Sequence, residues 1–252
     1  MGTRSLICLF YKGRFVIAQY TQFDGYPEGQ GLTIFKFIHN RENIERLKKG
    51  LAFIYEPTRE ELVEMNQEIR KLEETERDEN PNIYFRKGPI ERLYPSLARE
   101  TGGNIFEIVA QGGEGKHFHG TQTDPKCTCD RRVPIKPELS FANDGLFCEW
   151  AYVVDLDDEV FEVYGGCYKK HKAPNKRWEE VGGKDKTIPA FVKSFTFEEV
   201  SKLTEKGYID SFNDDNCEEE VEVVEDVDAD YEHEGNKDDE NTEFKNKEEP
   251  KA

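Results

Sequence analysis

Residues 5–11 (SLICLFY) and 14–20 (RFVIAQY) are runs of β-branched and aromatic residues separated only by Lys12-Gly13. Side chains of this kind favour pleated strands, and so short a spacer containing glycine joins them as a hairpin. The first twenty residues therefore commit the chain to a sheet. Residues 146–154 (LFCEWAYVV) and 159–164 (EVFEVY) flank Asp155-Leu156-Asp157-Asp158, which predicts a second hairpin sharing that sheet. Ala190 to Phe195 adds a third extended piece.

Helical signals lie between and after these strands. The segment FDGYPEGQG, residues 23–31, holds three glycines and Pro27 and reads as a tight, shaped loop. Leu32, Phe35 and Ile38 or His39 then share one helical face, and Asn40 is placed to cap a second short helix containing Ile44 and Leu47 and stopped by Gly50. Thr58-Arg59-Glu60-Glu61 is a capping-box pattern continued by Leu62, Met65, Ile69 and Leu72, so a helix is expected over 59–77. Tyr94-Pro95-Ser96 leads toward a helix ending near Gly102-Gly103, whereas residues 104–110 (NIFEIVA) fit a strand or a helix equally. Residues 111–137 have the Gly, Pro, Lys, Asp and Thr content of an exposed insertion. Thr196-Phe197-Glu198-Glu199 is a second capping box, opening a helix to about Lys206. The expected class is α+β: a largely antiparallel sheet built from hairpins, with helices packed on it, as one domain over residues 1–212.

Charge separates the remainder. Residues 214–252 carry 18 Asp or Glu against four Lys, leaving 35 acidic and 31 basic residues in 1–213. So acidic and apolar-poor a segment cannot bury enough surface to offset its ordering entropy, so residues 213–252 are expected to be a disordered acidic tail that docks basic partners. With a formal charge of −18 the whole chain repels nucleic acid, and binding to it is disfavoured. No apolar run approaches the roughly 20 residues that cross a bilayer, so no membrane partner is expected and the chain reads as soluble and cytoplasmic, with a nuclear location as the alternative. Six cysteines, at 8, 127, 129, 148, 167 and 217, are too sparse and irregular for a secreted disulfide framework. Cys8 and Cys148 fall in apolar runs and are expected to be small buried hydrophobes.

The opening MGTRSLICLFYKGRFVIAQYTQFDGYPEGQG, with the later LFCEWAYVVDLD, resembles a family of uncharacterised fungal, bacterial and phage proteins that begin MGTR and carry an FDGYP-type or WDGYP-type loop. The resemblance covers the first forty residues and the second hairpin; it implies domain unity and supplies no mechanism. More distantly, a small nucleophile ahead of a buried strand and hairpin is similar to the layout of N-terminal nucleophile (Ntn) hydrolases, which implies an Ntn-like sandwich. In that reading Thr3, exposed by removal of Met1 and Gly2, attacks an amide with its own α-amine as base. Arg4, Arg14 or Asp24 orients or charge-balances the site, and amides of the Gly29 to Gly31 loop stabilise the oxyanion.

Two other constellations lie in loops. In residues 23–31, Asp24 and Glu28 are acceptors, Phe23 and Tyr26 are aromatic platforms, and the amides of Gly29 and Gly31 precede a helix, a set suited to a small anion or nucleotide. His117, His119, Cys127 and Cys129 are of zinc-ligand type at i, i+2 spacings, with Cys167 and His171 as spare ligands, although structural zinc sites favour CxxC knuckles. No cofactor is required, and zinc is the one candidate. The basic stretch Lys169 to Arg177 reads as a solvated loop paired with the acidic tail, the alternative being a nucleic-acid or import-receptor contact. Together these readings favour a non-catalytic ligand-binding or protein-interaction domain whose small-molecule or protein partner is unknown; the alternative is an amide-bond hydrolase acting through Thr3.

Overall fold

The computed structural model describes residues 2–79, 88–114, 132–165, 177–178, 181 and 190–213. The first hairpin forms as expected: β1 (Ser5–Tyr11) pairs antiparallel with β2 (Arg14–Thr21), from Ser5 opposite Thr21 to Tyr11 opposite Arg14, with a bulge between Leu9 and Phe10. Lys12 and Gly13 have φ of 52° and 73°. Two positive φ values in a two-residue turn match the right-handed twist of the strands, and only glycine adopts that geometry without strain. At Lys12 the strain is offset by Asp157, whose carboxylate accepts hydrogen bonds from the amides of Lys12 and Gly13, both at 2.9 Å. The Gly13 amide, and then that of Lys12, hold the Asp157 carboxyl below its ordinary range.

Asp157 belongs to the second hairpin's turn, so the two turns clasp one another. Between them run α1 (Leu32–His39), α2 (Arg41–Gly50), β3 (Ile54–Tyr55), α3 (Arg59–Glu79), α4 (Pro89–Leu93), α5 (Ile105–Gly113) and β4 (Val133–Pro134). The second hairpin is β5 (Trp150–Asp155) and β6 (Val160–Gly165), followed by β7 (Ala190–Thr196), α6 (Phe197–Lys202) and α7 (Glu205–Asn213). Both hairpins share one five-stranded sheet of order β2-β1-β5-β6-β7. They meet through a parallel β1–β5 pair, the one parallel contact in a sheet otherwise antiparallel. The fold is α+β. Its second sheet among the described residues is only the short parallel pair β3–β4, not a large sheet facing the first.

Strand alternation explains the unbroken apolar run of β1. Ile7 and Leu9 face one side, against Phe35, Leu47, Phe106 and Val109 of the helices, in a core that also takes Tyr152, Phe161 and Tyr208. Leu6 and Cys8 face the other, with Ala151, Val153, Tyr164 and Trp178. A sheet covered on both faces needs apolar residues at every position. Cys8 and Cys148 are buried in the second of these clusters, as expected. Burial pushes both thiols up, Cys148 to about 12. At about pH 8 neither is a thiolate, so iodoacetamide is expected to modify them only after denaturation. Peptide mass spectrometry checks this, and rapid alkylation of native Cys8 would contradict it.

The local helix signals hold. The Asn40 side chain accepts a hydrogen bond from the Glu42 amide at 2.9 Å, and Thr58 and Glu61 form the expected reciprocal cap. The Thr196–Glu199 box is present as well. Gly50 ends α2 as expected, although in a right-handed conformation (φ −64°) and not a left-handed turn, and its lack of a side chain admits the α5 backbone. Other boundaries differ. Gly102 and Gly103 start the turn that leads into α5 instead of ending a helix, and this resolves 104–110 as helical. The insertion expected over 111–137 is narrower at both ends: α5 extends to Gly113, and Val133 and Ile135 are core residues. The helix after Thr196 ends at Lys202, and Thr204 caps α7, which the sequence pattern did not separate. The acidic segment 214–252 lies outside the described residues.

Candidate functional site

β1 and β5 are parallel, so the residues preceding both emerge at the same end of the sheet, and β2 delivers the 22–31 loop there as well. The loop is tied down by backbone and amide contacts. Gly25 donates its amide to the Thr3 carbonyl at 2.9 Å, and Gln22 donates to the Arg99 carbonyl at 3.0 Å. The buried Tyr152 hydroxyl donates to the Gly25 carbonyl at 2.7 Å. Gln30 bridges the loop to α5's approach, donating to the Phe23 carbonyl at 3.1 Å and accepting from the Gly103 amide at 2.8 Å.

Pro27 to Gly31 form a π-helical turn that runs into α1. Its amides are already committed: Gly29 donates to the Tyr26 carbonyl at 3.0 Å, Gln30 to the Asp24 carbonyl at 2.7 Å and Gly31 to Tyr26 at 3.4 Å. That corrects the expectation that Gly29 and Gly31 present amides to an anion or an oxyanion. The glycines serve close packing instead. A Cβ on Gly29 would lie 2.1 Å from the Asp24 carbonyl oxygen, and one on Gly31 would lie 2.4 Å from the Tyr208 hydroxyl.

Of the residues proposed around Thr3, the fold brings Arg4 and Asp24 close and sends Arg14 away. Arg14 sits opposite Tyr11 at the hairpin's far tip, seven strand positions and therefore roughly 20 Å from the Thr3 end. Arg4 turns from Asp24: its amide donates to Glu149 Oε1 at 3.1 Å, and its guanidinium lies 4.2 Å from the centroid of the Phe147 ring. The Thr3 side chain makes no hydrogen bond among the described residues, and neither Thr3 nor Asp24 lines the cavities beside Leu146, beside Tyr20 or beside Arg14. Asp24, at φ 56°, accepts a hydrogen bond from the Tyr26 hydroxyl at 3.3 Å. The Asp24 charge, then that hydrogen bond, raises the Tyr26 phenol, which stays protonated at neutral pH. Glu28 is exposed on the first turn.

This end of the sheet presents aromatic and aliphatic surface. Phe23 is 47% exposed, Tyr26 40%, Leu146 76% and Phe147 40%; Val63, out on α3, is the other large exposed hydrophobic among the described residues. Two contacts tie this surface to the start of β1. Phe23 lies against the backbone of Gly2, where a Cβ would approach its ring to 2.4 Å, and Arg4, two residues on, stacks on Phe147. Leu146 and Phe147 were expected inside a strand. Asp144 prevents this by accepting their amides at 3.2 and 3.0 Å, so that β5 begins only at Trp150.

On the opposite face of the sheet, Arg177 is not the solvated residue expected of the basic loop. It is 4% exposed and lies 2.7 Å from Asp155 Oδ2 and 2.9 Å from Glu162 Oε2, with its guanidinium 4.5 Å from the Phe10 centroid. Asp155 also accepts the amides of Asp157 and Asp158, and Glu162 accepts the Tyr164 hydroxyl. The sequence holds one sign of this: Glu162 interrupts an otherwise apolar strand. Residues 169–176 of the basic stretch lie outside the described residues, as do His117, His119, Cys127, Cys129, Cys167 and His171. No cluster of three potential metal ligands occurs among the described residues.

No protein-family model matches the chain, nor does any curated protein or solved structure. No helix among the described residues is long and apolar enough to cross a membrane.

Proposed function

We propose that the domain is a non-catalytic protein-interaction module that docks a partner on the surface formed by Phe23, Tyr26, Leu146 and Phe147. The observation that supports this reading most is the gathering at one sheet end of four of the five large exposed hydrophobics among the described residues, around an arginine stacked on an aromatic ring. Aromatic residues and arginine dominate the centres of protein interfaces, because they remove large area from water while losing few rotamers. Exposed apolar side chains gathered at one end have a persistent cost in water that a partner's apolar surface relieves. The amide-hydrolase alternative asks more of the same end: Arg14 is remote, and the Gly29 and Gly31 amides are engaged within the loop.

A photo-crosslinking amino acid at position 147, compared with one at the isolated position 63, tests the proposal in the native cell. One protein is expected to be captured from 147 and not from 63, with the yield falling about ten-fold or more when Phe23 and Leu146 are changed to serine, a loss typical of a hot-spot residue. Equal labelling from both positions, or a yield indifferent to the serine changes, would refute it.

A further inference from the structure

The hairpin tip that carries Arg14 away from Thr3 places it on a cavity of ≈ 550 Å³ between β2, the end of α2, β3 and the chain beyond β4. That volume falls in the range of small-molecule sites. Its charge is one-sided. Lys12, Arg14 and Lys48 line it against a single carboxylate, Glu56. The cavity beside Tyr20, by contrast, balances Arg99 and Lys136 with Glu100 and Glu138. Arg14 is exposed and forms no ion pair among the described residues; Lys48 has only the exposed Glu45 one turn away on α2, at 3.1 Å. Exposed pairs of that kind are weak and easily exchanged for a better anion.

Aliphatic side chains and two tyrosines supply the remaining wall. Tyr11 and Tyr55 line the cavity beside Val16, Leu51, Ile54 and Ile135, and the Arg132 guanidinium lies 4.2 Å from the Tyr55 centroid; Phe15 borders the cavity, but its ring packs on Phe10 and Trp178. Cations beside aromatic faces recognise a flat ring system carrying phosphate: the ammonium and guanidinium groups take the phosphate oxygens, and the rings take a base irrespective of its identity. A polynucleotide is disfavoured by the chain's charge of −18, a penalty that a single small anion largely escapes.

We infer that this cavity binds a nucleoside phosphate, its phosphates held by Lys12, Arg14 and Lys48 and its base laid against Tyr11 and Tyr55. Isothermal titration of the full chain with ADP, adenosine and inorganic pyrophosphate tests it. ADP is expected to bind at least about ten-fold more tightly than either fragment, and the separate variants Arg14→Glu and Lys48→Ala to weaken ADP by about ten-fold while leaving the circular dichroism unchanged. Affinity should also fall as salt is raised from about 50 to about 300 mM. No heat with ADP up to about 5 mM, pyrophosphate binding as tightly as ADP, or ADP binding unaltered in a folded Arg14→Glu variant would each overturn the inference. The surface at the other sheet end is untouched by these variants, so the outcome is independent of the interaction proposal.

Discussion

Arg177→Met is expected to lower stability by about 3–5 kcal/mol, read as a reduced urea midpoint at neutral pH, because it leaves Asp155 and Glu162 buried without their shared cation. The two carboxylates are 1% and 2% exposed, so water cannot replace the guanidinium. Nearly all of the loss comes from unpaired charge, not from missing volume, since methionine fills much of the same space. It follows that the triple variant Arg177→Met, Asp155→Asn, Glu162→Gln should be more stable than Arg177→Met alone. Asn keeps an oxygen for the amides of Asp157 and Asp158, and Gln keeps one for the Tyr164 hydroxyl. An Arg177→Met protein within about 1 kcal/mol of the parent would show that the network does not hold the second face together.

The second large effect is at the α2–α5 crossing. A Cβ on Gly50 would lie 2.0 Å from the Val109 carbonyl oxygen and 2.6 Å from its carbon, and one on Gly113 would lie 2.9 Å from the Gly50 nitrogen. The obstruction is backbone, which no rotamer change relieves. Gly50→Ala gains about 1 kcal/mol of helix propensity but incurs about 3 kcal/mol of overpacking, for a net loss of about 2 kcal/mol. The same substitution at Gly207 in α7, where the nearest atoms are 3.4 Å away, meets only ordinary contact and should stabilise by about 0.4–1 kcal/mol. Thermal or urea unfolding of the two variants compares the signs directly. A Gly50→Ala protein more stable than the parent would mean that the helices do not cross this closely.

Legibility followed the range of each interaction. The two hairpins and the caps at Asn40, Thr58 and Thr196 rest on residues within a few positions of one another, and the sequence pattern located them. The parallel β1–β5 contact, the burial of Arg177 and the β3–β4 pair depend on residues brought together from distant positions, which no local period encodes. At the exposed apolar end of the sheet, residue chemistry marks Phe23, Tyr26 and Arg4. Leu146 and Phe147 escaped notice because an apolar run preceding a strand looks like part of it until Asp144 is seen holding their amides. Glycine-rich spacing suggested an anion cradle where the physical need was close approach to Asp24 and Tyr208.

The parallel pairing of Ser5 with Trp150 has a consequence for biosynthesis. The leading ribbon leaves the ribosome well ahead of the strand that flanks it, and at ordinary elongation speeds it waits roughly 7–30 s for that neighbour. During that interval both of its apolar faces and the edge of β1 lie open. Nascent chains halted before residue 150 should therefore recruit holdase chaperones and aggregate when released, whereas chains that have emerged through β6 should not.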